Sequence, residues 1–308
     1  MNNHKDNNIV TSSLIADALS LGSHWIYSQN EIAETFASVR EYLDPKSPYH
    51  PGKKGGDFTH YGDQAMVLLR SLPEEGGFDL ETFARDWVAF WHDPETPSYM
   101  DGATRETLEN LRAGVALESA SSSSNDIAGA SRLGVLFARE WSSEDALVRA
   151  ARAQTAFTHG DPAVVEAAEY FARVTFRVRE GESIPTALRK VAEEQTWEAI
   201  PRSWFEAAQL SARSEKDDRE AAREQGLTCH IPDAFPVILH FLLRYPEDSV
   251  AALEANLRAG GDNASRGMIL GMVYGAQSDA IAAYPGWADG LSARDEIDSI
   301  LNRTPAHV

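Results

Sequence analysis

Residues 260–275 read GGDNASRGMILGMVYG, and the stretch sets the terms for the whole chain. Gly260-Gly261 lets the backbone turn tightly and approach a neighbour or a ligand. Asp262 is placed to cap the helix that follows, in which Arg266, Met268, Ile269 and Met272 fall at helical spacing. Capping accounts for Asp262, and for Ser265 as well. It accounts less well for Asn263, Ser265 and Arg266 crowding one apolar helix start. Such a start offers free N–H donors and the positive end of the helix dipole, which suit a phosphate or a carboxylate.

The same periodicity extends outward. Ile9, Leu14, Ile15, Ala18, Leu19 and Gly22 form an i, i+3, i+4 stripe around the cap cluster Thr11-Ser12-Ser13. Met66, Val67, Leu69 and Leu72 follow Asp63, which falls in a first helical turn. Leu80, Phe83, Trp87, Phe90 and Trp91 stripe a helix that Asp93-Pro94 stops, and Asp101 is placed to cap 104–118. Further helices are expected over 126–140, 143–157, 162–180, 184–195, 198–212, 232–245, 247–258, 264–282 and 292–302. No period-2 run and no Asn-Gly hairpin interrupts them. The expected fold is all-α, one compact domain of about a dozen helices over 9–302, with a flexible N-terminus at 1–8 and a tail at 303–308. Three segments are irregular. The Pro/Gly-rich stretch 44–62 is a long loop of the kind that often carries function. The Ser-rich run 119–125 is either a flexible linker or a polar loop facing a ligand. The charged run 213–226 is a solvated helix or surface excursion.

Composition narrows the function. The 308 residues hold 28 Lys+Arg against 47 Asp+Glu, a net charge of −19. That balance argues against binding a nucleic-acid backbone or an anionic membrane. Cys229 is the one cysteine, which excludes an intramolecular disulfide and a cysteine zinc cluster; it is expected to be a small buried residue. The opening MNNHKDNNIV has no apolar run of the signal-peptide kind, and the longest apolar stretch, 235–243, is broken by Pro236 and His240. A cytoplasmic protein is expected.

Polar residues gather at five helix starts or junctions: 20–25 (SLGSHW), 59–66 (THYGDQAM), 98–104 (SYMDGAT), 124–132 (SNDIAGASR) and 260–267 (GGDNASRG). In order and spacing these segments resemble the ADP-ribosylglycohydrolase family, which also includes the jellyfish J1 crystallins. The family's opening G-D-A-L-G-x-x-x-E is similar to residues 16–24, and its T-D-D-T-x-M helix start to Tyr61-Gly62-Asp63-Gln64-Ala65-Met66. Its N-G-A-x-M-R resembles residues 128–132, and its T-H resembles Thr158-His159. Its G-G-D-T-D-T segment resembles residues 260–265, running on to Gly271 and Gly275, and its closing I-P-x-x-W resembles residues 283–287.

The resemblance implies a compact helical domain that binds ADP-ribose and two Mg²⁺ ions and hydrolyses the bond between the anomeric ribose carbon and its leaving group. The implied partner is small-molecule or protein-linked ADP-ribose. Carried onto this chain, the implied oxygen ligands are incomplete. The first-helix Glu is His24, the Thr and first Asp of T-D-D-T are Tyr61 and Gly62, and the second Asp of the last motif is Ala264. Asp63, Asp262 and Ser265 remain, which suits one Mg²⁺ better than two, or none. His24, His60, Tyr61 and Arg266 stand at or beside the replaced positions. His60 or His24 can act as acid or base near neutral pH, and Arg266 can pair with Asp63, Asp262 or a phosphate. Each equally fits an ordinary structural role. Tyr99, Asp101 and Thr104 fall in a segment the family uses near the ribose and phosphates. Ser124 and Asn125 are candidates for a phosphate loop, and Asn263 flanks Asp262. Trp25, Trp87, Trp91 and Trp287 read as core by spacing, with room for one to stack on adenine.

The expected activity is hydrolysis of an ADP-ribosyl or related ribosyl bond, with Asp63, Asp262 and His60 catalytic and His24, Tyr61, Tyr99, Asp101, Ser124, Asn125, Asn263 and Arg266 binding substrate. Two alternatives stay open: an inactive ADP-ribose-binding or structural protein, and a metal-independent hydrolase that uses histidine.

Overall fold

The computed structural model describes residues 2–302. Fifteen α-helices follow one another: α1 (Asn2–Ser20), α2 (Gln29–Thr35), α3 (His60–Ser71), α4 (Leu80–His92), α5 (Gly102–Arg112), α6 (Ala128–Ser131), α7 (Glu144–Ala156), α8 (Pro162–Arg179), α9 (Ile184–Glu194), α10 (Arg202–Arg213), α11 (Asp218–Gln225), α12 (Ile231–Arg244), α13 (Ser249–Ala259), α14 (Asn263–Gln277) and α15 (Arg294–Leu301). Two 3-10 turns and two isolated β-bridges complete the pattern, and no strand is present among the described residues. The all-α expectation holds. No helix of the described chain is long and apolar enough to cross a membrane.

The centre is the pair α1 and α14. Residues of α14 from Asn263 to Ala276 are buried on every side, as a helix at the middle of a core must be. Glycine lets the two backbones approach. A Cβ at Gly271 would lie 2.3 Å from the Ser12 carbonyl oxygen, and one at Gly275 would lie 2.6 Å from that of Asn8. The Ser13 hydroxyl donates to the Met268 carbonyl at 2.9 Å and fixes the register. The remaining helices pack around this pair in one continuous core that includes Leu68, Phe83, Trp87, Phe171, Phe235 and Ile297.

Several boundaries differ from expectation. Residues 2–8 are not a flexible extension; they lengthen α1, and Asp6 pairs with Arg179 at 3.2 Å. Residues 303–308 lie outside the described residues. The segment 126–140 is not one helix. It is α6 followed by the 3-10 turn Arg132–Ala138, in which Gly134 packs against Ser13, where a Cβ would sit 2.9 Å from the hydroxyl. The segment 264–282 stops as helix at Gln277, where Ser278 turns to extended backbone. The loop from 44 ends at Thr59. The serine run 119–125 is tied down, since the Ser122 and His159 backbones bridge. The charged segment forms α11, whose Ala221 and Ala222 are buried.

Candidate active site

The Gly260-Gly261 turn builds one wall. Both residues have positive φ, 72° and 64°. A Cβ on either would collide with a carbonyl oxygen, that of Ile26 at 2.4 Å or that of Leu227 at 2.2 Å. The turn pairs with the chain that leaves α1: the Trp25 amide donates to the Gly261 carbonyl, and the Gly261 amide donates to the Ile26 carbonyl, each at 2.8 Å. This pairing holds Trp25 at φ 62°, the one positive φ outside glycine among the described residues. A bulky residue adopts that conformation only when its surroundings impose it, which is common at functional sites. The imidazole of His24 is thereby brought to α14, with Nδ1 3.3 Å from Asn263 Oδ1 and Nε2 3.6 Å from Asp262 Oδ1.

The start of α3 builds the opposite wall. The Thr59 hydroxyl caps the helix by accepting from the Tyr61 amide at 3.2 Å. Asp17 of α1 accepts from the Thr59 amide at 2.8 Å and from its hydroxyl at 2.6 Å, which locks α3 onto α1. Burial pushes the Asp17 carboxyl up to about 6, against those two hydrogen bonds. Gly62 lies directly on that carboxyl, where a Cβ would meet Asp17 Oδ2 at 2.3 Å. Position 62 therefore has no room for the aspartate of the resembled motif. Asp63 is present but engaged: the Lys53 ammonium, from the 44–59 loop, donates to both its oxygens at 2.8 and 2.6 Å. Burial raises the Asp63 pKa and Lys53 pulls it back.

Three histidines meet between these walls. His24, His50 and His60 are buried, and one nitrogen from each lies within 4.8 Å of the others. Their ring centroids stand 5.5, 6.0 and 5.7 Å apart. Nε2 of His24 and both nitrogens of His50 and of His60 have no hydrogen-bond partner. Burial holds His24 well below the usual imidazole range and His50 down at about 3, so both rings are neutral at physiological pH. His60 Nε2 faces Asp101 Oδ2 at 3.5 Å. Aromatic rings cover the cluster. Trp25 stacks on His24 at 4.5 Å and on His50 at 5.7 Å, while Tyr49 and Tyr99 meet Trp25 edge-on at 4.9 and 5.2 Å. Tyr49 is 46% exposed, so solvent reaches the outer side of this roof.

The carboxylates divide by environment. Asp262 occupies the cap position of α14 but accepts no backbone amide; the Ser265 hydroxyl donates to its Oδ2, and its buried Oδ1 has no partner. Burial raises its pKa, opposed by Ser265, Arg266, His60 and the Tyr61 phenol. Asp126 is raised well above the carboxylate range, first by burial and then by the charge of Asp262. Cys229, expected in the core, is half-buried and hydrogen-bonds Asp126. Asp101 does cap α5, accepting from the Thr104 amide at 2.6 Å. Burial favours its neutral form, but His60 and that amide outweigh it and hold the pKa below the usual range.

Other expected residues are placed differently. Arg266 pairs with neither Asp63 nor Asp262. It is buried, donating from Nε to Asn256 Oδ1 at 3.0 Å and from its remaining nitrogens to the Gly260 and Leu227 carbonyls, so it braces the glycine turn. The Ser124 hydroxyl accepts from the Asp126 amide at 3.2 Å, and Asn125 Oδ1 meets the His230 ring at 2.6 Å, so both position the Asp126 loop. Trp87, Trp91 and Trp287 are buried core residues as expected, whereas Trp25 is part of the site. Sequence reasoning passed over His50, Lys53, Tyr49 and Asp126. The first three lie in the irregular loop singled out above, and Asp126 lies within the polar segment 124–132. An open cavity of about 450 Å³ elsewhere, against Tyr170, Leu188, Trp197 and Phe205, contains none of these residues.

The three histidines are a donor set that could hold a metal ion. They do not suit the two Mg²⁺ ions implied by resemblance. Mg²⁺ takes oxygen ligands in near-octahedral geometry. Here Lys53 already neutralises Asp63, the Ser265 hydroxyl is turned to Asp262, and the unpartnered donors beside Asp262 are imidazoles.

The helix starts of this all-helical domain thus converge on a cluster of carboxylates and imidazoles. The ADP-ribosylglycohydrolase family model matches residues 9–307, and the chain belongs to that family. Crystallin J1A of Tripedalia cystophora is 26% identical over 306 residues, covering 94% of this chain and 92% of that protein. Crystallin J1B of the same animal is 24% identical over 286 residues, covering 87% and 86%. Among solved structures, an ADP-ribosylglycohydrolase-related protein complex superposes with a TM-score of 0.75 at 21% identity, covering 97% of this chain and 96% of that one.

Proposed function

We propose that this chain hydrolyses a ribosyl glycosidic bond in an ADP-ribosyl substrate, with Asp262 and Asp126 as the acid–base pair. The observation that carries the reading is Asp262: a buried carboxylate with one oxygen unpartnered, set beside imidazoles and within electrostatic reach of the half-buried Asp126 carboxyl. Burial and the nearby charge of Asp262 favour a proton on Asp126 at neutral pH and leave Asp262 as the partner that ionises. The protonated member gives its proton to the leaving group as the bond to the anomeric carbon breaks, and the bonding pair departs with that group. The ionised member takes a proton from the attacking water and stabilises the oxocarbenium-like centre. His60, which faces Asp101, and Tyr61 orient water and ribose. The amides at the start of α14, which no side chain caps, are donors for the diphosphate, whereas Asn263 spends its amide on Ser23 and His24. Trp25, Tyr49 and Tyr99 offer rings for the adenine.

A second reading, binding without turnover, is favoured by one feature. The Lys53 ammonium occupies both oxygens of Asp63, the position at which the resembled family holds a cation. The test is release of free ADP-ribose from an ADP-ribosylated protein, measured beside calorimetric titration with ADP-ribose. Turnover supports hydrolysis. Binding without turnover selects the second reading. Neither would leave a structural protein, a role consistent with the crystallin relatives.

A further inference from the structure

We propose that His24, His50 and His60 form a three-imidazole site for one borderline divalent cation of the Zn²⁺ type, in place of an oxygen-ligated Mg²⁺ centre. The proposal concerns binding and does not rest on the hydrolase reading.

Donor chemistry points to it first. Three imidazoles with an open fourth position suit Zn²⁺ and its transition-metal neighbours, whereas Mg²⁺ seeks carboxylates and water. Geometry agrees. The donor nitrogens already lie within 4.8 Å of one another. A tetrahedral ion at about 2.1 Å from each would draw them to about 3.4 Å apart, a matter of small ring rotations.

Energetics gives an independent reason. Five ring nitrogens in this cluster are buried without a partner. Buried polar atoms left without a partner are costly, so a cluster of this kind is a poor structural solution unless something fills it. An ion would satisfy one nitrogen on every ring. The outer contacts match those of metal-bound histidines: Asn263 Oδ1 lies 3.3 Å from His24 Nδ1, leaving Nε2 to face the cluster, and Asp101 Oδ2 stands 3.5 Å from His60 Nε2. Asp262 Oδ1, 3.6 Å from His24 Nε2, adds negative charge beside the ion and an acceptor for a bound water. The nearest cationic groups are already engaged, Lys53 with Asp63 and Arg266 with Asn256 and backbone carbonyls.

The full-length, tag-free chain, stripped with chelator, is titrated with Zn²⁺ and separately with Mg²⁺ by calorimetry, and with Co²⁺ by visible absorption. The expected result is one Zn²⁺ per chain and the intense visible bands of four-coordinate Co²⁺, with Mg²⁺ unable to displace either. His50→Gln and His24→Asn should each weaken Zn²⁺ binding more than tenfold, with the fold checked by circular dichroism. His92→Gln, at the exposed end of α4, should leave binding unchanged. Absence of Zn²⁺ binding, the weak spectrum of six-coordinate Co²⁺, or Zn²⁺ affinity unchanged in folded His50→Gln would overturn the proposal. The Co²⁺ spectrum of the unmodified protein decides the matter even if the variants do not fold.

Discussion

Replacing Lys53 with Met removes the cation that bonds both oxygens of Asp63 while keeping most of the side-chain volume. The side chains of Lys53 and Asp63 are 7% and 15% exposed, so the pair is nearly dry. Deleting one partner of a buried pair costs about 3–5 kcal/mol, because the remaining charge is uncompensated. For 308 residues at about 2.1 cal/mol/K each, the unfolding entropy is about 0.65 kcal/mol/K, and the thermal midpoint should fall by about 5–8 °C at pH 8. The loss should depend on pH with a definite sign. Burial already raises the Asp63 pKa above 3.8, and removing Lys53 raises it further. A carboxyl raised in the folded state contributes stability that is fully present below its unfolded value and lost as pH climbs through the folded value. The gap between Lys53→Met and wild type should therefore narrow from pH 8 to pH 5, and the Lys53→Met/Asp63→Asn double variant should lose that narrowing. Scanning calorimetry at the two pH values measures both. An unchanged midpoint at pH 8, or an equal deficit at both pH values, would refute the assignment of Lys53 as the buried counter-ion.

Other outcomes follow from the same geometry. His159 is held down at about 3 by burial and by Arg132, against 6.5 when unfolded, so it contributes stability above pH 6.5 that is lost as pH falls toward 3. By pH 5 that loss is about 2 kcal/mol, and urea unfolding of His159→Asn should lack this part of the slope. Gly271→Ala should lower the thermal midpoint although alanine is the better helix former. Its Cβ would lie 2.3 Å from the Ser12 carbonyl oxygen, and overpacking at about 1–3 kcal/mol outweighs a propensity gain of about 1 kcal/mol; a higher midpoint would contradict the close α1–α14 approach.

Much of the fold was legible because most of its helices announce themselves by period. The stripes of α3, α4, α8 and α12 are amphipathic or wholly apolar, and their caps Thr59, Asp79 and Asp161 are ordinary cap residues. The break at Arg132 was not legible, since its cause is a long-range fit: Gly134 against Ser13, and the Arg132 guanidinium donating to Gln154 and Thr158. The site shows the same division. Asp262 and Asp101 were found from their positions at helix starts, and His24 and His60 from the resembled segments. His50 and Lys53 sit in a loop without periodicity, and only tertiary structure places one beside His24 and the other on Asp63. Arg266 read as a partner for a phosphate or an aspartate from its place at a helix start, whereas in the fold Asn256 and the carbonyls exposed by the glycine turn take its nitrogens.

The proposed engine of ribosyl hydrolysis is Asp262 together with Asp126. The most direct measurement is the rate of ADP-ribose release from an ADP-ribosylated substrate by wild type, Asp262→Asn and Asp126→Asn, with folding verified for each. Wild type should show measurable turnover, and both variants should lose it by about 10²–10⁴-fold. Full activity in folded Asp262→Asn, or no turnover in wild type across neutral pH, would contradict it.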